Sequence, residues 1–159
     1  MINIFKRDTS ISRSELEAYI GQNAYTPFYK KSLDKYLNNP NSVNWCWPSF
    51  FIAMYWFMFR KAIAPALIFF LIEFSLVNII PDPISGIIGI IIIILTGLYG
   101  TNILFLTAEK EINKIKLQNP TIDEASLLEL IGTKGGTTYL YPAILYFVQV
   151  IIYEFIIFR

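Results

Sequence analysis

Two stretches of this chain are almost free of charge, and they limit what it can fold into more than any other feature. From Ala62 to Thr107 the only ionisable acids or bases of the Asp, Glu, Lys and Arg classes are Glu73 and Asp82. From Thr138 to Phe158 there is only Glu154. A bilayer-spanning helix needs about 20 consecutive apolar residues. The pattern predicts spans over 62–80, 84–106 and 138–158, with Pro81-Asp82-Pro83 as a short rigid turn between the first two. Composition agrees: 55% of the 159 residues are hydrophobic, 16% are charged, and the mean hydropathy is +0.49. The expected fold class is all-α and integral to a membrane, with three transmembrane helices, an aromatic-rich interfacial or re-entrant helix, and short cytoplasmic helices.

Residues 1–44 read as a polar N-terminal arm. Its opening residues, Met1 to Ile11, contain no apolar run of the signal-peptide kind, so insertion is expected to rely on the internal spans. Ser12 and Glu15 have capping-box spacing. Leu16, Tyr19, Ile20 and Asn23 then recur at helical intervals. Pro27 interrupts the pattern, and a second helix is expected from Phe28 to Leu37 with Leu33, Tyr36 and Leu37 on one side. Two such amphipathic helices are expected to dock on the membrane surface or on the chain's own cytoplasmic segment.

Residues 45–61 form the aromatic block. Eight of the fifteen residues from Trp45 to Phe59 are aromatic, including all three tryptophans, and Arg60 and Lys61 follow. Fifteen residues are too few for a span, and Trp and Tyr favour the headgroup level. Trp45, Trp47, Trp56, Arg60 and Lys61 are therefore expected to be membrane-interface anchors. Cys46 reads as a buried, inert thiol. Residues 107–137 form the second polar segment. A helix is expected to about Gln118, then a break at Asn119-Pro120, then a helix capped by Thr121 and Glu124 with Gly132 at its end. The Gly132–Thr137 run lacks phosphate-loop spacing and reads as a flexible turn.

Counting Lys and Arg orients the chain. Three spans with a cytoplasmic N-terminus leave twelve of the 13 inside and only Arg159 outside. A fourth span over 45–59 would divide them seven to six. The three-span plan predicts a multi-pass protein of the cytoplasmic membrane with an external C-terminus.

Several chemistries are excluded by the counts. There is no histidine and only one cysteine. This removes His-based acid–base catalysis, the commonest metal ligand and any internal disulfide. Net charge is +1, so no nucleic-acid footprint is expected. No catalytic, cofactor or metal site is expected.

Three residue sets remain. Gly86, Gly89, Gly97 and Gly100 fall within about 80° of one helical face. They suit packing against the other spans or against a second copy. Tyr139, Tyr146 and Tyr153 recur every seven residues and suit helix packing. Glu73 and Gln149 lie eleven residues into the first and third spans, at equal depth. They read as an intramembrane polar pair, with a protonated Glu73 donating to Gln149, serving either as a register-fixing hydrogen bond or as a proton or cation site.

The aromatic block Trp45-x-Trp47-Pro48-Ser49-Phe50-Phe51, continued by Tyr55-Trp56-Phe57-Met58-Phe59-Arg60-Lys61, resembles a bacterial small-membrane-protein family catalogued as domain of unknown function 2628. Gly100-Thr101-Asn102, Gly135-Gly136-Thr137 and Tyr19-Ile20-Gly21-Gln22-Asn23-Ala24 are similar to further parts of that family. The resemblance spans roughly residues 19–158. It departs in lacking a Gly after Phe51 and a His after Asn102. It implies a bacterial inner membrane and no particular activity. The expected function is a non-enzymatic accessory, scaffold or regulatory subunit acting through the lipid bilayer, a membrane-protein partner or a homo-oligomer. The alternative is a small oligomeric transporter or ion-conducting component centred on Glu73 and Gln149.

Overall fold

Ser12 starts the first helix by a reciprocal cap. Its hydroxyl accepts from the Glu15 N–H at 3.2 Å, and the Glu15 carboxylate accepts from the Ser12 N–H at 2.6 Å. α1 (Arg13–Ile20) follows and buries Leu16, Tyr19 and Ile20. A short 3-10 turn, Gly21–Tyr25, leads into α2 (Pro27–Asn38). Pro27 opens α2 as its first residue, where a missing donor is harmless, and the Thr26 hydroxyl caps it. The computed structural model describes residues 5–157, and among them every regular element is helical.

The remaining helices are α3 (Trp47–Phe59), α4 (Ile63–Asn78), α5 (Ile84–Gln118), α6 (Glu124–Lys134) and α7 (Leu140–Ile157). α5 is unbroken over 35 residues, about 52 Å at 1.5 Å per residue. No Gly or Pro lies between Thr101 and Gln118, so nothing local stops the helix at the change from apolar to charged sequence near Thr107. α6 is capped by Asp123, whose carboxylate accepts from the Ser126 N–H at 3.0 Å. This corrects the cap expected from Thr121 and Glu124. The helix ends at Gly135, not Gly132, because the Gly135 N–H still reaches the Ile131 carbonyl at 2.9 Å.

Two lobes result. In the polar lobe α1 packs on α6 and on α5, and α2 packs on α5. Its core includes Leu16, Ile20, Leu33, Phe105, Ile112 and Ile131, each fully buried. The N-terminal arm thus docks on the chain's own second polar segment. The apolar lobe holds α4, α7 and the first half of α5, with α3 between them. α3 packs on all three.

α3 is a bent helix. Ile52 has φ −134° and ψ 40°, outside the helical region. Before the bend, the Cys46 N–H donates to the Gly97 carbonyl at 2.8 Å and the Asn44 N–H to the Leu98 carbonyl at 3.2 Å. After it, Phe57 stacks on Phe69 of α4 with ring centres 5.4 Å apart, and the Phe59 carbonyl accepts from the Thr138 N–H at 2.9 Å. Just before α3 the Asn44 amide donates to the Ser32 hydroxyl of α2, and just after it Arg60 Nη2 donates to the Ile20 carbonyl of α1, so both ends meet the polar lobe, while Ile52 at the bend lines a cavity with Glu73 and Leu76.

The apolar lobe shows its side chains outward. Leu71, Ile87, Ile90 and Phe147 are each about 60% exposed or more. By length and composition α5 is the one described helix able to cross a membrane; α4 and α7 are shorter apolar helices. The expectation of three such helices is met by this criterion in α5 alone. α4, with 16 residues, is about 24 Å long against a hydrocarbon core of about 30 Å. The expected end of the third span at Phe158, and Arg159 beyond it, lie outside the described residues.

Candidate functional site

Three helices that are remote in sequence bring Tyr55, Gln149 and Glu73 into one hydrogen-bonded chain. The Tyr55 hydroxyl donates to the Gln149 carbonyl oxygen. The Gln149 amide nitrogen then donates to the Glu73 carboxylate at 3.5 Å. The bond thus runs opposite to the expected one, with Glu73 accepting. The reason is the third partner: Tyr55 takes the amide oxygen, which leaves the amide N–H₂ facing Glu73. These groups line a cavity of about 430 Å³ that also touches Gly89 and Thr96. A carboxylate, an amide and a phenol can hold a cation or a hydrogen-bonding solute. They include no nucleophile paired with a base.

Equal depth along the two apolar stretches was enough to pair Glu73 with Gln149. Tyr55 carried no such signal, because its direction depends on the bend at Ile52. Pro, Gly and polar residues are absent from the immediate surroundings of Ile52, which are Phe51 and Ala53.

Arg60 corrects the anchor expectation. It is 2% exposed and lies within the polar lobe's core. One guanidinium nitrogen, Nη2, donates to the Ile20 carbonyl at 3.1 Å, and Cζ sits 4.9 Å from the Tyr29 ring centre. Nε and Nη1 have no hydrogen-bond partner among the described residues. The return of α3 carries residue 60 beneath the end of α1, so the cation cannot face lipid headgroups. Burial pulls its guanidinium below the ordinary range, with Tyr29, Tyr19 and Cys46 acting in the opposite sense. Burial also pushes the Tyr19 and Tyr29 phenols to about 12 and the Cys46 thiol to about 11.

Trp56 is likewise core, 5% exposed, while Trp45 is half-buried and Trp47 is 58% exposed. Lys61 adopts a left-handed conformation, φ 56°, and its Nζ donates to the Thr133 carbonyl at 3.0 Å. Its N–H bonds the Met58 carbonyl while that of Ala62 bonds the Phe57 carbonyl, a Schellman ending for α3.

The glycine face divides in two. A Cβ at Gly100 would overlap the Ser49 side chain, and one at Gly97 would press on the Trp45 and Phe50 rings at 3.1 Å. The partner of this half is α3, not the other apolar helices. Gly86 and Gly89 face open space. The tyrosine repeat is no packed seam: Tyr139 is 82% exposed and Tyr146 55%, and Tyr153 is half-buried.

Two structural latches carried little sequence signal. Asn102 is buried and its amide donates to the carbonyls of Pro40 at 2.6 Å and Ser42 at 2.9 Å, tying the loop after α2 to α5. The Gly136 N–H donates to the Tyr19 carbonyl at 2.7 Å, and a Cβ at Gly135 would overlap that same carbonyl. The Gly132–Thr137 run is therefore pinned against α1, which corrects the reading of a flexible turn.

Neither family models, curated proteins nor solved structures match this sequence.

Proposed function

We propose that the chain is a multi-pass protein of a bacterial cytoplasmic membrane that works by association, as an accessory, scaffold or regulatory subunit without enzymatic activity. The observation that carries the membrane reading is the exposure of α5. Only 33% of its apolar window is buried, whereas the core helix of a soluble protein is mostly buried. Contiguous exposed apolar surface of this extent marks a membrane or protein interface. α4 and α7 present the same kind of surface at the same end of the molecule, while charged residues gather at the other.

In this reading α4, α5 and α7 cross the bilayer and α3 enters and leaves it on the cytoplasmic side. Non-helical backbone at depth is tolerated where it lines a cavity, which suits Ile52, half-exposed and lining the same cavity as Glu73 and Gln149. The polar lobe is cytoplasmic, in keeping with the twelve-to-one division of basic residues.

The test is gentle extraction from membranes followed by molar mass and identification of what co-purifies, with a reporter fused after Arg159. An external reporter and a stoichiometric partner or homo-oligomer are expected. A cytoplasmic reporter would overturn the topology. The Tyr55–Gln149–Glu73 chain in its cavity favours a second reading, a small transport or ion-conducting unit. Flux in liposomes that disappears in Glu73→Gln would establish it; flux-free liposomes would remove it.

A further inference from the structure

All three tryptophans of the chain line one cavity of about 610 Å³ between α2 and the first half of α3. That volume lies within the usual range for small-ligand sites, roughly 300–1,000 Å³. Tyr29, Trp45, Trp47 and Trp56 supply an aromatic wall. Lys31 and Lys35 line it from one side of α2, four residues apart and so on one helical face. Among the described residues no carboxylate lines the cavity. Lys35 donates to the Val43 carbonyl at 3.0 Å, a neutral acceptor that leaves its charge uncompensated. The buried Arg60 guanidinium lies behind the Tyr29 ring and adds to the positive field.

One neutral donor is unused. The Trp45 indole N–H is buried and has no hydrogen-bond partner among the described residues. A buried indole N–H ordinarily finds one. The benzene edge of Trp45 packs against Gly97 of α5, so its N–H edge faces away from that helix. Two ammonium groups beside an aromatic wall match an anion that carries apolar substance with it. A free inorganic anion would gain nothing from the aromatic wall.

We propose that this cavity binds the phosphate headgroup of an anionic phospholipid, with Lys31 and Lys35 at the phosphate and the tryptophans against the glycerol end. The proposal rests on the membrane reading above. Anionic lipids attract basic residues at the membrane surface, and tryptophan settles at the same depth. The site is thus a specific version of an ordinary interfacial contact, built into the crease between the polar lobe and α3.

Because every tryptophan lines the cavity, fluorescence of the full-length protein reports on it directly. The protein is reconstituted in phosphatidylcholine vesicles containing a minor fraction of brominated phosphatidylglycerol or, in parallel, brominated phosphatidylcholine. Brominated phosphatidylglycerol is expected to quench more strongly. The excess is expected to fall about thirtyfold in apparent affinity in Lys31→Gln/Lys35→Gln, for two basic residues lost. It should persist in Lys110→Gln/Lys114→Gln, which removes the same charge from the polar lobe. Lys31→Gln alone, at an exposed side chain, serves if the double variant does not fold. Equal quenching by the two lipids, or equal loss in both double variants, overturns the site. Removal of the excess by millimolar inorganic phosphate assigns the cavity to free phosphate and overturns the lipid. Flotation with phosphatidylcholine vesicles alone reads the membrane proposal separately.

Discussion

The guanidinium carbon of Arg60 lies 4.9 Å from the centre of the Tyr29 ring, in a core where Arg60 is 2% exposed. Among the described residues this buried cation has no carboxylate partner. Its stem fills space between α1, α2 and α3, while two of its nitrogens lack acceptors among those residues. Packing and charge therefore pull in opposite directions at this residue. Arg60→Ala removes the packing and is expected to cost about 3 kcal/mol. Arg60→Met keeps most of the volume and removes the two unpartnered donors, so its thermal midpoint should equal or exceed that of the wild type. A Met variant as unstable as the Ala variant would show that the charge itself holds the end of α1.

Asn102 bonds two carbonyls that no other described side chain serves. Asn102→Ala should destabilise by about 2 kcal/mol, since buried acceptors are left unpaired. Chemical denaturation decides it; an Ala variant as stable as the wild type would disprove the latch.

The two halves of the glycine face should respond differently to alanine. At Gly100 the added methyl meets Ser49, whose hydroxyl donates to the Thr96 carbonyl at 2.9 Å. Gly100→Ala should destabilise by about 2 kcal/mol through overpacking. Gly86→Ala and Gly89→Ala meet nothing and should leave the thermal midpoint unchanged or slightly raised. Size-exclusion light scattering of these two variants adds a second readout. A smaller particle would identify their half of the face as a contact between copies.

Alkaline unfolding should follow Tyr19 and Tyr29. Burial lifts both phenols from the ordinary 10.0 to about 12. A raised folded-state value contributes stability that is complete below pH 10 and disappears as pH rises through 12. Tyr36 is shifted in the same direction, also by burial first. Phenolate absorbance and helical circular dichroism should therefore change together in this window for these residues. Tyr29→Phe removes one ionisable group and should shift the transition to higher pH. Full phenolate absorbance with helicity intact would contradict the burial of these rings.

What could be read from the sequence was local. The Ser12–Glu15 cap, the buried face of Leu16, Tyr19 and Ile20, and the stop before Asn119-Pro120 each depend on residues within about one helical turn, where geometry follows from spacing. The charge-free stretches announced apolar helices for the same reason. Glu73 and Gln149 could be paired because depth along a helix is a count of residues.

Direction, by contrast, came from packing alone. In an aromatic block with little polar contrast, no periodicity tells which side faces protein. The bend at Ile52 therefore had no local sign, yet it turns Arg60 into the core, Tyr55 toward Gln149, and Trp45 and Trp47 into the cavity beside Lys31 and Lys35. Asn102 and Gly136 were equally silent, because their partners lie some 60 and more than 100 residues away in the chain. A hydrogen bond at that separation exists only after packing has brought both ends together. Which segments are helical and apolar follows from residue spacing and composition; which side chains meet follows from the packing of α3 among α4, α5 and α7.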